Sequence, residues 1–358
     1  MNKINHSDIE QLHSLIHKAE DIALVTHINP DGDAVGSTVG MYGFLRGIGK
    51  KVSIVYPHRL PDALQFLMTD EVRNCVTIHE DEQEKAVKVL SDADLIFCMD
   101  LNSFGRTGDM PARALHDSDA AKVLIDHHLD PDRESFTLTF SETEISSTAE
   151  YLYYILMEMP ETGGDVHRLP SLTARACMTG MTTDTNNFAN SVYPSTFRMA
   201  SALLEAGVDR NELLSHLFNS YREERLRLMG DLLYRKMKIT EDGVAYMVLD
   251  RKTIMKYGIK DGETEGFVNL PLSIDKVRLS IFLKEDKEKF RVSVRSKAGV
   301  SANRFATEYA NGGGHELASG GRLSIPDNVT DAKDAERYIR KAADEFMGSG
   351  RQTGHKDQ

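Results

Sequence analysis

The chain has 358 residues, 41% of them hydrophobic and 27% charged, a length that suits two domains and a composition that excludes global disorder. Its 43 basic and 55 acidic side chains leave a net charge of −12, which repels long nucleic acids and obliges any phosphate-handling site to supply its own positive charge. Cys75, Cys98 and Cys177 are far apart and form no CxxC pair, which excludes a zinc ribbon or a disulfide framework and points to a reducing, cytoplasmic setting. The start lacks an apolar leader and no apolar run approaches the ~18 residues of a membrane span.

The pattern predicts an amphipathic helix over 7–20, with Ile9, Leu12, Leu15 and Ile16 at helical spacing. A short apolar strand at 22–26 leads into the turn-rich His27-Ile28-Asn29-Pro30-Asp31-Gly32-Asp33, and a helix follows over 34–48. Further strands are expected at 52–56, 94–99 and 122–125, with helical patterns at 62–68 and 84–91. Short apolar strands alternating with helices imply an α/β domain, a parallel sheet covered on both faces.

From 146 the chain reads as helical, over 146–158, 170–183, 194–206 and 210–220. Residues 221–238 predict one long charged helix, with Leu226, Met229, Leu233 and Met237 on its core face. After it the pattern changes to alternating strands at 244–249, 277–283 and 290–294, with a hairpin turn inside Lys284-Glu285-Asp286-Lys287-Glu288-Lys289. Helices at 302–310 and 331–347 complete a smaller α/β domain with a mixed sheet. The expected organisation is a first domain over 1–190, a helical linker over 191–240, a second domain over 241–350 and a flexible tail over 351–358.

Polar residues gather just after the strands, where open α/β sheets bind ligands. His27, Asp31, Asp33, Asp100, Asp126, His127, His128 and Asp184 are the candidates. One aspartate after a strand is usually a cap or a turn residue. His27-x-x-x-Asp31-x-Asp33 in one tight loop, and Asp126-His127-His128 directly after a buried strand, are more specific. Carboxylates this dense need cations if they converge. Oxygen and imidazole donors without thiolate suit Mn²⁺, Mg²⁺, Fe²⁺ or Co²⁺ better than a structural zinc, and seven or eight donors suit two ions sharing a bridging carboxylate, the arrangement used for phosphoryl hydrolysis.

These residues closely resemble the four motifs of the DHH phosphoesterase superfamily, in order. They are Thr26 through Ala34, then Asp100 with Ser103, Arg106 and Gly108, then Asp126-His127-His128, then Thr183-Asp184-Thr185. The second half resembles the DHH-associated substrate-binding domain, through Arg295-Ser296, Gly312-Gly313-Gly314-His315 and Ala318-Ser319-Gly320. The similarity covers about residues 20–325, nearly the whole chain. The fourth motif continues Asn186-Asn187-Phe188 where relatives often carry a glycine, and Ser319 stands where a second alanine is common; both bear on substrate fit.

The resemblance implies two divalent ions, Mn²⁺ first and Mg²⁺ or Co²⁺ as alternatives. It gives His27 and Asp31 to the first ion, Asp33, His127 and Asp184 to the second, and Asp100 to both as the bridge. Asp126 is expected to orient an imidazole from behind, and His128 to face the substrate as acid or electrophile. Arg295, Ser296, Gly312, Gly313, Gly314 and His315 are expected to clamp the phosphate end of the substrate, with Arg106 assisting from the first domain. A clamp on one domain and metals on the other would place a short substrate in a cleft.

The implied activity is metal-dependent hydrolysis of short RNA oligonucleotides to mononucleotides, with removal of the 3′-phosphate of pAp, as in the nanoRNase and pAp-phosphatase branch with its RecJ-like fold. The alternatives are a cyclic di-AMP or pApA phosphodiesterase and a non-catalytic nucleotide-binding regulator. The expected partners are therefore short RNA, pAp, pApA or cyclic di-AMP, with neither long nucleic acid nor membrane. The oligomeric state is open, a homodimer among the options.

Overall fold

Strand residues of the first half alternate between two apolar clusters. On the first strand Ile22 and Leu24 point to one face while Ala23 and Val25 point to the other, as a period of two requires for a sheet buried on both sides. The structure, a computed structural model, describes residues 4–260 and 262–353, with side chains to residue 348. The chain divides into two compact units, residues 1–220 and 221–358.

In the first unit the strands are β1 (Asp21–Val25), β2 (Lys51–Tyr56), β3 (Val76–Ile78), β4 (Leu95–Met99), β5 (Ala121–Asp126) and β6 (Leu138–Ser141). They form one parallel sheet in the order β3-β2-β1-β4-β5-β6. The direction of winding reverses between β1 and β4, so a crevice opens at their carboxyl ends. The helices are α1 (His6–Lys18), α2 (Gly32–Gly47), α3 (Asp70–Arg73), α4 (Gln83–Asp92), α5 (Asp109–Asp117), α6 (Thr148–Glu158), α7 (Ser171–Asp184), α8 (Pro194–Glu205) and α9 (Arg210–Phe218). One cluster joins α1, α2, α6 and α7 to one face of the sheet, and the other joins α4 and α5 to the opposite face.

Two helices assigned above to a linker belong to this unit: Met199 and Leu203 of α8, and Leu213 and Leu217 of α9, are part of its buried core. The segment 62–68 is a 3₁₀ helix (Asp62–Leu67), and β3, β6 and α5 were not anticipated.

The second unit begins with α10 (Glu223–Asp231), followed by β7 (Lys238–Ile239), β8 (Val244–Leu249), α11 (Arg251–Tyr257), β9 (Leu279–Asp286), β10 (Lys289–Ser296), α12 (Ala302–Tyr309), β11 (Gly313–Gly314), β12 (Ala318–Ser324) and α13 (Ala332–Thr353). Its sheet runs β11-β12-β10-β9-β8-β7. Among the described residues only β8 and β9 pair in parallel, so the sheet is mixed as expected. α12 and α13 cover one face through Phe305, Ile339 and Phe346. Leu228, Leu232 and Phe267 cover the other.

The single helix expected over 221–238 is corrected. α10 stops at Asp231, and one π-helical turn, Leu232–Lys236, hands the chain to β7. The Met237 N–H donates to the Leu232 carbonyl at 2.7 Å, five residues back. Leu228 and Leu232 are buried and Met229, Leu233 and Met237 pack against them, while Leu226 is exposed. The tail expected over 351–358 lies outside the described residues from 354 on.

Candidate metal centre

The loop after β1 turns its donors inward through its own backbone. His27 Nδ1 lies 2.8 Å from the Ile28 carbonyl, which fixes Nδ1 as the donor and leaves Nε2 as the acceptor nitrogen. His27 Nε2 stands 3.4 Å from Asp100 Oδ2 and 3.9 Å from Asp31 Oδ1. Asp31 caps α2: its Oδ1 accepts the N–H groups of Asp33 at 3.0 Å and Ala34 at 3.1 Å.

Asp33, in the first turn of α2, is buried, and both its oxygens are held by the start of α6. Oδ2 accepts the Thr148 N–H at 2.7 Å and Oδ1 the Ala149 N–H at 2.9 Å, the contact a helix N-terminus offers an anion. Thr148 acts twice, because its hydroxyl also donates to Asp100 Oδ1 at 3.0 Å.

Asp100 follows β4 directly and adopts a left-handed backbone, φ 59°, uncommon away from glycine. Its two oxygens face different partners. Oδ2 faces His27, and Oδ1 lies 3.6 Å from both His127 Nε2 and His128 Nδ1. Asp126, the fully buried last residue of β5, accepts the His128 N–H on Oδ2 at 3.1 Å and pairs Oδ1 with His128 Nδ1 at 2.7 Å. Asp184 closes α7, with Oδ2 3.6 Å from His127 Nε2, and Asp33 Oδ2 lies 3.9 Å from the same nitrogen.

Seven expected site residues therefore come together as three overlapping triads: His27, Asp31 and Asp100; Asp33, His127 and Asp184; Asp100, His127 and His128. Within each triad the donor atoms lie within 4.8 Å of one another. Arg106, on a 3₁₀ turn after β4, accepts the Ile28 N–H on its backbone carbonyl at 2.8 Å, and its charge opposes protonation of His27.

The electrostatics ask for a cation. Burial, then repulsion from Asp100, Asp184 and Asp31, holds the Asp33 carboxyl well above the usual range. Burial acts the same way on Asp100, but the His27 hydrogen bond and the three neighbouring imidazoles outweigh it and hold Asp100 below the usual range. His27 is the converse: burial favours its neutral form, yet Asp100 and Asp31 raise it to about 9. Burial lowers His127, which favours the neutral imidazole that binds a metal. None of the donor groups includes a cysteine among the described residues. Buried carboxylates in excess, with neutral imidazole and without thiolate, fit hard or borderline divalent ions.

In the second unit Arg295 is the penultimate residue of β10, with its guanidinium on backbone: Nη1 donates to the carbonyls of Val294 at 2.9 Å and Ser319 at 3.3 Å. Ser296 is buried, and its hydroxyl has no hydrogen-bond partner among the described residues. Gly312 has a packing reason. A Cβ there would fall 1.9 Å from the Gly320 carbonyl. Gly313 and Gly314 are exposed on the edge strand β11, and His315 opens the turn to β12, its N–H donating to the Ala318 carbonyl at 2.9 Å.

Residues 21–181 match the model of the DHH family, N-terminal domain, and residues 241–347 match the DHHA1 domain. The chain is 34% identical to a solved exopolyphosphatase-related protein from Bacteroides fragilis, over 98% of this chain and 100% of that one, with a TM-score of 0.89. The chain belongs to the DHH family. It is 28% identical to the bifunctional oligoribonuclease and PAP phosphatase NrnA of Bacillus subtilis (strain 168), over 85% of this chain and 90% of the relative. RecJ of Thermus thermophilus, solved in complex with Mn²⁺, shares the fold at 15% identity and a TM-score of 0.53, over 94% of this chain and 54% of that one. Among the described residues no helix is long and apolar enough to cross a membrane.

Two supports of this DHH centre escaped the sequence reading. Thr148 is one; its signal was the Ser146-Ser147-Thr148 run with Glu150 ahead of an apolar helix, a capping pattern. Ser147 indeed caps α6, accepting the Glu150 N–H at 3.0 Å. The other is the crossing of α2 and α7. A Cβ on Gly36 would meet the Ala176 carbonyl and the Gly180 nitrogen at 2.7 Å. The signal was glycine at 32, 36, 40, 43 and 47, one stripe along α2. The run after Asp184 also explains the missing glycine: Asn186, Asn187 and Phe188 take φ of 47°, 58° and 68°, and asparagine tolerates that region better than most residues.

Proposed function

We propose that this DHH-family phosphoesterase hydrolyses short oligoribonucleotides to mononucleotides and converts pAp to AMP, with two divalent ions, Mn²⁺ first among them. The observation that carries the reading is Asp100 presenting one oxygen to each of two donor groups. The substrate class rests on similarity to the Bacillus relative named for both activities, over most of each chain.

His27, Asp31 and Asp100 are assigned to one ion, and Asp33, His127, Asp184 and Asp100 to the other. When bound, such a pair offsets charge on phosphoryl oxygens and lowers the pKa of a water. Asp126 holds His128 by Nδ1 and by its backbone N–H, which fixes the ring and assigns Nε2 to a phosphoryl oxygen as hydrogen-bond or proton donor. Arg295, Ser296, the segment 312–315 and Arg106 are assigned to the phosphate groups of the substrate.

The test is product analysis with Mn²⁺ and, separately, pApA, a five-nucleotide RNA, pAp and cyclic di-AMP. AMP released from pApA, the RNA and pAp is the expected result, with cyclic di-AMP slow. Preferential opening of cyclic di-AMP replaces the substrate assignment, and no turnover of any of them overturns the reading. Asp100→Ala should abolish turnover. Arg295→Ala should chiefly raise KM for substrates with a terminal phosphate.

A further inference from the structure

A second set of metal-type donors lies outside the DHH centre. His13 and His17 stand one turn apart on α1, so they share a face. Glu161 lies in the turn that follows α6, which the Thr162 N–H and the Gly163 N–H tie to the Met159 carbonyl at 3.2 and 2.9 Å. The three donor atoms lie within 4.8 Å of one another. His13 Nε2 is 3.2 Å and His17 Nε2 3.0 Å from the same oxygen, Glu161 Oε1. The imidazole centroids are 4.2 Å apart, with planes inclined at 49°.

We propose that His13, His17 and Glu161 form a third divalent-metal site, of the zinc class, separate from the catalytic pair. Ligands at about 2.0 Å around a tetrahedral ion lie about 3.3 Å from one another, close to the two N···O distances here. Plain hydrogen bonding accounts for the cluster poorly. Both imidazoles face Oε1, while Glu161 Oε2 is buried with no hydrogen-bond partner among the described residues, a costly arrangement for a carboxylate. A cation would take Oε1 and both nitrogens as ligands and offset the charge of the carboxylate. Two imidazoles and one carboxylate are borderline donors that favour Zn²⁺ over the harder ions suited to the aspartate-rich centre.

The site ties α1, held otherwise by Ile9, Leu12 and Ile16, to the turn beyond α6. Three protein ligands leave one tetrahedral position for water. The histidines are on the accessible side of α1, with side-chain exposures of 36% and 50%, so an ion can enter and a substitution leaves the core intact.

The experiment is equilibrium dialysis of the full chain against micromolar Zn²⁺, read by elemental analysis. Wild type should hold three zinc ions per chain, and the His13→Gln/His17→Gln double variant two, with Mn²⁺-dependent turnover unchanged. Zn²⁺ should raise the Tm of wild type several degrees more than that of the double variant. Glu161→Gln should lose the same equivalent, which decides the matter if the double variant folds poorly. Asp100→Asn should lose metal from the catalytic pair and keep the third ion, so the two assignments fail separately. Equal zinc content in wild type and in both variants overturns the proposal.

Discussion

Gly180 of α7 lies directly against Asp33 of α2: a Cβ on Gly180 would stand 2.8 Å from Asp33 Oδ1 and 2.5 Å from the Ala149 Cβ. The missing side chain thus sets where a buried carboxylate sits. Gly180→Ala gains up to about 1 kcal/mol of helix propensity, but overpacking typically costs about 1–3 kcal/mol. The expected outcome is a lower Tm and at least a ~10-fold loss of turnover, because Asp33 is displaced. Wild-type turnover with a raised Tm would show that the crossing has room to spare.

Thr148 supplies a backbone donor to Asp33 and a hydroxyl donor to Asp100. Thr148→Val keeps the first and removes the second, leaving a buried acceptor short of a donor at a cost of about 1–3 kcal/mol. Turnover should fall roughly 10-fold, and Thr148→Ser should restore most of it. Metal titrations on the pair of variants separate a positioning effect from a loss of fold.

Asp126 touches His128 twice and is the carboxylate that fixes its ring. Asp126→Asn should leave the bound metal unchanged and lower kcat by roughly 10², with an altered pH profile. A proportional loss of metal instead would make Asp126 part of the metal-holding set.

Asp250 caps α11 through the Thr253 N–H at 2.7 Å and pairs with Lys236. Burial alone would raise its pKa, yet the bonds from Lys236 and Thr253 outweigh it and hold it below the ordinary value. The contribution to stability is therefore full above the unfolded pKa of about 3.9 and lost as pH falls through the lower folded value. Asp250→Ala should cost about 1 kcal/mol at pH 7, mostly as a lost cap, since the ion pair is partly solvated. The difference in Tm should shrink by pH 3; a difference independent of pH would remove the charge from the account.

The strand ends were legible in the sequence because several of the candidates directly follow short apolar runs that suit buried strands. His27 after β1, Asp100 after β4 and Asp126 at the end of β5 were all placed this way. The smaller strands β3 and β6 were not, since three or four residues carry too little periodicity to separate them from loops. The 221–238 region failed for a different cause: a π-helical turn changes the angular step, and no residue in Leu232–Lys236 advertises it. Thr148 stayed hidden because its role depends on Asp33 and Asp100, 115 and 48 residues away. A cap is visible locally, whereas what it caps against is not.

The glycine stripe on α2 has a consequence for the order in which the molecule assembles. Five glycines in 16 residues, each costing about 0.8–1.0 kcal/mol against alanine, leave that helix unable to persist by itself. Its partner surface on α7 arrives well over a hundred residues later in synthesis. The nascent chain thus carries the His27-to-Asp33 loop without a settled helix behind it until α7 has emerged. Maturation of the catalytic pocket is tied to completion of the first unit, and a chain truncated before residue 184 would hold most of the DHH motifs but no working centre.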